Sequence, residues 1–280
     1  MIKLVLTDLD ATLFSEKDGS IATPDTMAAI DAVLDAGVHF GPVTGRTPAS
    51  MSEAFPGDPR CYATGAFANG QIVFLDGEVV HREWTPAEPL QRVADILDDL
   101  GEGSLILFDM EGDKGAWFVS RKPERLKASQ DFGARISRVE QCVEGPVLKT
   151  NIRLEAPRER ISEVRELLRR EVPEFDFVFP TLTAPLIDIL PKGYGKGGAV
   201  AVLARELGLS LDEVATFGDS ENDLSMLRAA PNSVAMENAT PEVAATARWH
   251  IGSADDHAMV GALLDIARST QAGEMPSFMQ

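Results

Sequence analysis

A short apolar segment near the start of the chain, Ile2 to Leu6, leads directly into two aspartates, Asp8 and Asp10. Its length and apolar character predict a buried β-strand, and strand alternation predicts that both carboxylates point to the same side. Two carboxylates this close are costly to bury, because desolvation disfavours their charged forms and each raises the pKa of the other. The pair therefore predicts either a cation between carboxylates or a nucleophile beside a proton carrier, and an acidic turn is the simpler alternative. Because ligands bind at the carboxyl ends of strands in open parallel sheets, we expect a functional site here.

A second predicted strand ends at Thr44, Gly45 and Arg46. We expect the Thr44 hydroxyl and the backbone N–H groups at Gly45 to face the same sheet edge. A helix predicted over about residues 47–54 would place its N-terminus there, and helix N-termini favour phosphate groups. Arg46 has two interpretations, a contact with phosphate or substrate and a salt bridge with a neighbouring acid. By itself this segment is a weak signal.

Two later segments add a cation and a second acidic group. Residues 191–198 form a glycine-rich loop that carries Lys196 into a predicted helix, without the Gly-x4-Gly-Lys-Ser/Thr spacing of a P-loop. After the next predicted strand, Asp219, Asn222 and Asp223 follow at i, i+3 and i+4. This spacing places the three side chains on one face of a helix start, and it is a strong signal.

These segments, in this order, resemble the haloacid dehalogenase superfamily of phosphotransferases. The resemblance is closest to the Cof-like branch of sugar-phosphate phosphatases, which carry a large α/β cap, and it extends over nearly the whole chain. It includes Asn69 before a predicted hairpin. Two positions depart from the family pattern. Ala11 replaces a glycine usual after the second aspartate, and the loop at residues 253–258 lacks the Asn and Gly common there.

The resemblance implies a phosphatase that hydrolyses small phosphate monoesters through an aspartyl-phosphate, with Asp8 as the nucleophile and Asp10 as the general acid/base. Mg²⁺ is the implied cofactor, and a hard ion of this kind takes oxygen ligands. The implied phosphate-binding residues are Thr44, Gly45, Lys196 and Asn222; the implied metal ligands are Asp8, Asp10 and Asp219; and the implied supporting residues are Asp223, Arg46 and Asn69.

The order of predicted elements indicates an α/β fold, a Rossmann-like parallel-sheet core with an inserted α+β cap. Strands and helices alternate up to about residue 83, and from there helices interleave with adjacent strand pairs. We predict a core domain at residues 1–83 and 191–268, a cap domain at 84–190 and a flexible tail at 269–280. Substrate specificity is expected on the cap, where the polar candidates near strand ends are Arg121, Lys122, Lys149, Asn151 and Arg153.

Charge and composition exclude several partners. The formal net charge of −18 argues against nucleic acid and against an anionic membrane surface. It also repels a small phosphorylated metabolite, the expected substrate, so positive charge at Mg²⁺ and Lys196 must attract it locally. The two cysteines lack the spacing of a disulfide framework. We also find no signal-peptide pattern and no apolar run of about 20 residues, so we predict a cytoplasmic protein.

Two other classes of protein share part of this pattern. A receiver domain, a non-catalytic phospho-acceptor, also combines a strand-end aspartate, a threonine, a lysine and an acidic Mg²⁺ site. It needs a shorter chain, no cap and no second aspartate acting as an acid. A phosphomutase or phosphotransferase uses the same core but passes the phosphoryl group to a sugar instead of water. What separates it from a hydrolase is whether the closed cap excludes water.

Overall fold

The computed structural model describes residues 1–108, 115–122, 135–142, 147–181 and 183–280. The chain divides into two units, one formed by residues 1–82 and 195–280 and the other by residues 83–194. We call them the first unit and the second unit. Among the described residues, no helix is long and apolar enough to cross a membrane.

The helices and strands follow one another along the chain in three stretches. The first unit begins with β1 (Leu4–Thr7), α1 (Pro24–Asp35), β2 (His39–Pro42), α2 (Met51–Ala54), α3 (Arg60–Ala63), β3 (Gly65–Phe67), β4 (Ile72–Leu75) and β5 (Glu78–Arg82). The second unit contains α4 (Ala87–Leu100), β6 (Ser104–Phe108), β7 (Gly115–Val119), β8 (Arg135–Val139), β9 (Lys149–Arg153), α5 (Arg158–Glu171), β10 (Phe175–Val178) and β11 (Leu186–Pro191). The first unit then resumes with α6 (Lys196–Glu206), β12 (Val214–Gly218), α7 (Leu224–Ala229), β13 (Asn232–Met236), α8 (Pro241–Thr246), β14 (Trp249–Ile251) and α9 (Ala258–Ala272).

The first unit is built on a five-stranded parallel sheet in the order β14-β13-β12-β1-β2. Strand β1 is fully buried at the interior of this sheet, as expected for a strand with neighbours on both edges and helices on its faces. An antiparallel sheet of β3, β4 and β5 accompanies it. The strand order places the ends of β1 and β12 side by side, which determines where the residues after them meet.

The second unit is built on a six-stranded, mostly antiparallel sheet in the order β10-β11-β9-β6-β7-β8. Apolar side chains of α4 and α5 pack with those on one face of this sheet, including Leu105, Ile152 and Ile187. The predicted fold class, an α/β fold with a parallel sheet, is confirmed. The predicted boundaries of the core and cap domains stay predictions.

The C-terminal segment contains regular structure over part of its length. Within residues 269–280, predicted to be a flexible tail, α9 continues to Ala272 and a 3-10 helix follows at Ser277–Met279, and the predicted flexibility stays a prediction. Met279 is buried, and the Phe278 ring lies 6.2 Å from the Phe217 ring. The ring contact joins this segment to a strand of the parallel sheet that is distant in sequence.

Candidate active site

The centre of the site lies at the adjacent ends of two parallel strands. Asp8 follows β1, and its N–H donates to the carbonyl of Phe217 in β12 at 3.0 Å. Asp219 follows β12 directly, so the two acidic side chains start from neighbouring strand ends. Both residues are only 4% exposed. The sheet thus brings together two carboxylates that are more than two hundred positions apart in the chain.

Lys196 is the cation of this buried group. It is the first residue of α6, is fully buried, and its Nζ lies 2.8 Å from Asp8 Oδ1 and 2.6 Å from Asp223 Oδ1. A buried ammonium is tolerated only when it is paired and hydrogen-bonded. Burial alone would lower the pKa of Lys196, but the charges of Asp223 and Asp8 outweigh it and raise that pKa. The ammonium is therefore charged.

Asp223 uses both of its carboxylate oxygens within the protein. Oδ1 binds Lys196, and Oδ2 accepts hydrogen bonds from the N–H groups of Asp219 at 2.9 Å and Ser220 at 3.0 Å. Gly218 permits this arrangement, since a Cβ there would lie 2.5 Å from the Asp223 Cβ. Asp223 thereby holds the lysine and the loop that carries Asp219.

Two hydroxyl groups orient the Asp219 carboxylate. Thr12 donates to Oδ1 at 2.8 Å and Ser220 donates to Oδ2 at 2.6 Å. These residues were assigned no role from the sequence. Thr12 belongs to the same strand-end run as Asp8 and Asp10, and a hydroxyl beside buried carboxylates is the signal that could have singled it out. Ser220 precedes a helix start and forms a capping box with Asp223, a pattern visible in the sequence.

Burial, together with the crowding of negative charge, raises the pKa values of the two strand-end aspartates. Burial is the largest cause for Asp8, and the carboxylates of Asp223, Asp219 and Asp10 add to it, while Lys196 opposes the shift. For Asp219, burial and the charge of Asp223 raise the pKa to about 7, against the hydrogen bonds of Ser220 and Thr12. A bound cation would favour the charged form of both groups.

The donor set fits a hard divalent cation. Asp8, Asp219 and Asp223 each present a carboxylate oxygen, and these oxygens lie within 4.8 Å of one another. Asp223 already accepts three hydrogen bonds, from Lys196 and two backbone N–H groups, whereas Asp219 accepts two from hydroxyl groups, so Asp219 retains more lone pairs for a metal ion than Asp223 does. All the donors are oxygens, as Mg²⁺ requires.

Asp10 lies apart from the buried cluster and pairs with Arg46. Arg46 Nε donates to Asp10 Oδ2 at 2.9 Å, and its Nη2 contacts Asp10 Oδ1 and donates to the carbonyl of Ser20 at 3.0 Å. Of the two interpretations of Arg46, the structure shows the salt bridge with a neighbouring acid. The Asp10 side chain remains 33% exposed, so water can reach it.

The remaining predicted residues form a hydrogen-bonded neighbourhood around the strand ends. The buried Thr44 hydroxyl accepts from the N–H of Arg46 at 3.1 Å, across Gly45. Asn69 donates its N–H to the Thr44 carbonyl at 2.8 Å, and its Oδ1 accepts from Asn222 Nδ2 at 3.1 Å. In the part of the chain that the structure describes, Thr44 makes no hydrogen bond to the buried carboxylates. Its predicted phosphate contact, like those of Gly45 and Asn222, stays a prediction.

Fold and site together define an α/β enzyme in which buried aspartates surround a lysine at the carboxyl ends of parallel strands. The sequence profile of the haloacid dehalogenase-like hydrolases matches residues 5–263. The chain therefore belongs to the haloacid dehalogenase-like hydrolase family.

Individual relatives agree with this assignment. An HMP-PP phosphatase of Klebsiella pneumoniae is 27% identical over 248 residues, covering 88% of each chain. The crystal structure of SMU.1108c from Streptococcus mutans has a TM-score of 0.79 at 19% identity, covering 94% of this chain and 98% of that one. A subclass IIB sugar phosphatase has a TM-score of 0.75 at 23% identity, covering 93% and 97%. The family recognised from the sequence motifs, and the prediction of a phosphatase, are confirmed.

Proposed function

We propose that this protein hydrolyses small phosphate monoesters in a Mg²⁺-dependent reaction through an aspartyl-phosphate at Asp8. The observation that carries the proposal is the buried cluster of Asp8, Asp219 and Asp223 around the charged Lys196. A structural ion pair alone would not need three carboxylates at one strand edge. A transferring phosphoryl group needs a nucleophile, a metal site and a fixed cation in that arrangement.

The proposed metal ligands are one side-chain oxygen of Asp8, the backbone carbonyl of Asp10 and the carboxylate of Asp219. The metal ion, when bound, neutralises charge on the phosphoryl oxygens and relieves the repulsion between Asp8 and Asp219. Thr12 and Ser220 hold the Asp219 carboxylate in place by their hydrogen bonds. Loss of such a supporting contact typically lowers metal affinity about 10–100-fold.

The chain's own residues would act in two steps. A carboxylate oxygen of Asp8 attacks phosphorus while the ester P–O bond breaks, and Asp10 gives its proton to the departing alkoxide. Water then attacks phosphorus, Asp10 takes a proton from it, and the bond from Asp8 to phosphorus breaks to release inorganic phosphate. Lys196 stays charged throughout and stabilises the phosphoryl oxygens. Proton transfer of this kind contributes about 10²–10⁴ in rate.

Residues 1–83 and 191–268 are proposed as the catalytic core, and residues 84–190 as the cap that selects the substrate. The free thiols of Cys61 and Cys142 support a cytoplasmic location for the protein.

A single-turnover assay with a small phosphate ester in Mg²⁺ tests this proposal. The expected products are free inorganic phosphate and the alcohol, and a chelator should abolish their formation. A stable acyl-phosphate without phosphate release would instead indicate a receiver-like acceptor. Phosphate transferred to an added sugar, with none released to water, would indicate a phosphomutase or phosphotransferase. Full activity in the chelator would contradict the metal site.

A further inference from the structure

Two loops of the first unit lie beside the proposed site and have no role in the proposed reaction. One follows β13 and comprises residues 237–240, and the other follows β14 and comprises residues 252–257. The parallel sheet order β14-β13-β12-β1 places the carboxyl ends of these strands in one row with those of β12 and β1. Both loops therefore lie at the sheet edge where Asp8 and Asp219 meet.

The loop at 237–240 contacts the backbone of both acidic segments of the site. The N–H of Thr240 donates to the carbonyl of Asp219 at 2.9 Å. Asn238 Nδ2 donates at 2.8 Å to the carbonyl of Ala11, the residue directly after Asp10. Because this asparagine belongs to the loop after β13, its hydrogen bond reaches past the end of β12 to the segment that follows β1.

Asn238 is itself held in place by the loop after β14. Its Oδ1 accepts a hydrogen bond from the N–H of Ala254 at 2.9 Å. The next residue, Asp255, accepts from the Ser15 hydroxyl at 2.6 Å and pairs with the Lys17 ammonium at 2.8 Å. The loop after β14 therefore holds both the asparagine and the segment to which the asparagine binds.

The backbone at Ala11 has to be held in an unfavourable conformation. Its φ of +55° lies in the left-handed region, which residues with a Cβ avoid. A hydrogen bond to its carbonyl favours the one peptide orientation in which that oxygen meets Asn238 Nδ2. On either side of Ala11 are Asp10, whose carboxyl group the proposed reaction uses, and Thr12, whose hydroxyl donates to Asp219. Rotation of this peptide would displace both neighbours.

We propose that Asn238 is a positioning residue for Asp10 and acts through the carbonyl of Ala11. By fixing the peptide after Asp10, it keeps the carboxyl group of Asp10 where the leaving oxygen of the ester receives its proton. The Asn238 side chain is exposed, so its two hydrogen bonds, and not burial, are what it contributes. This inference deepens the proposed function and rests on it, since Asp10 is taken as the acid of that reaction.

The dependence of rate on the leaving group tests this role. An alkyl phosphate needs a proton from Asp10 as its ester bond breaks, whereas the leaving group of nitrophenyl phosphate departs without one. The measure is kcat/KM, which reports formation of the acyl-phosphate and not its later hydrolysis. Asn238→Asp keeps the acceptor for Ala254 and removes the donor to Ala11. It should lower kcat/KM about tenfold for the alkyl ester and at most about twofold for the nitrophenyl ester, because only the first depends on a positioned acid.

Two further variants separate this role from an effect of charge or of folding. Asn238→Ala removes the same donor without adding a carboxylate and should change the ratio of the two kcat/KM values in the same way. Asn232→Ala is the matched control, at the opposite end of β13 from the loop. Asn232 Nδ2 also donates to backbone carbonyls, those of Asp212 at 2.7 Å and Val214 at 3.3 Å. Its loss should leave the ratio unchanged, whatever happens to the thermal midpoint.

An equal loss on both esters, or no loss, in Asn238→Asp overturns the positioning role and leaves the phosphatase proposal intact. Backbone hydrogen exchange separates the two proposals, because it needs no turnover. The N–H groups of Thr12 and Phe14 donate to the Leu9 carbonyl at 3.3 Å and 2.8 Å. They should exchange at least about threefold faster in both Asn238 variants and not in Asn232→Ala. Faster exchange supports the role even if neither ester is hydrolysed, whereas unchanged exchange contradicts it.

Discussion

At the scale of single residues, Asp219 and Asp223 have different tasks although they are only four positions apart. Asp219 presents its carboxylate to the proposed metal position and is held by two hydroxyl groups. Asp223 accepts three hydrogen bonds, one from the Lys196 ammonium and two from backbone N–H groups, and thereby holds the lysine and the loop that carries Asp219. Substitution of Asp219 should therefore affect mainly metal binding, and substitution of Asp223 should affect mainly stability.

Asp219→Ala should raise the Mg²⁺ concentration needed for half-maximal activity by at least about tenfold and cost more activity than Asp223→Ala. Asp223→Ala should instead lower the free energy of unfolding by about 3–5 kcal/mol, because it breaks a buried ion pair and orphans two N–H groups. Mg²⁺ titrations and denaturant unfolding of both variants measure this contrast. Equal Mg²⁺ requirements in the two variants, or the reverse order of activities, would contradict the assignment.

Ala11 stands where the family usually has glycine, and we expect this difference to lower the stability of the protein. Its φ is +55°, in the left-handed region that residues with a Cβ avoid, and its carbonyl accepts from Asn238 Nδ2 at 2.8 Å. Ala11→Gly should stabilise the protein by up to about 1 kcal/mol, because the left-handed conformation costs an L-residue about 1–2 kcal/mol. The same change at Ala36, where φ is −76°, should destabilise it by about 0.5–1 kcal/mol. Thermal unfolding of both variants measures this difference in stability. Stabilisation at both positions, or at neither, would contradict the claim that the backbone at Ala11 is strained.

At the scale of elements, the strand ends carry the site, and this is why so much of it could be predicted. Side chains that follow parallel strands must meet at one sheet edge, so Asp8 and Asp219 could be placed together from sequence. Lys196 joined them through its position at a helix start. The partner of Arg46 could not be chosen, because a long flexible side chain reaches several acids and only the folded backbone decides among them. The 3-10 helix at Ser277–Met279 could not be predicted for a related reason, since Phe278 lies beside Phe217, a residue far away in sequence.

The contact between α6 and α7 positions Lys196 and can be tested directly. A Cβ on Gly197 would lie 2.4 Å from the carbonyl oxygen of Ser225, so no side chain fits between the two helices. Gly197→Ala should destabilise the protein by about 1–3 kcal/mol and reduce kcat through displacement of the lysine. Gly261→Ala in α9, where the added Cβ meets nothing within 4 Å, should stabilise it by up to about 1 kcal/mol. Unchanged unfolding and turnover in Gly197→Ala would show that α6 is free to shift.

At the scale of the whole molecule, the charge of the chain and the charge of its site have opposite effects on the binding of a phosphorylated substrate. The net charge of −18 repels a phosphorylated substrate during approach, whereas attraction at Lys196 and at the proposed metal ion would act near contact. Raising a non-coordinating salt at saturating Mg²⁺ should leave kcat/KM unchanged or raise it, because salt screens the long-range term with a Debye length of about 10 Å at 0.1 M. A several-fold fall in kcat/KM would indicate a basic entrance that attracts the substrate.

Asp8 is proposed to become covalently phosphorylated during turnover. Rapid acid quenching of the Mg²⁺-loaded protein with a phosphate ester, followed by peptide mass spectrometry, should locate one phosphoryl group on Asp8. Asp8→Asn should abolish both that modification and turnover while keeping the unfolding transition. Asp10→Asn should still form the acyl-phosphate from an activated aryl ester but release phosphate slowly. Phosphate release above about a thousandth of the wild-type rate in Asp8→Asn, or a phosphoryl group on another residue, would contradict the account.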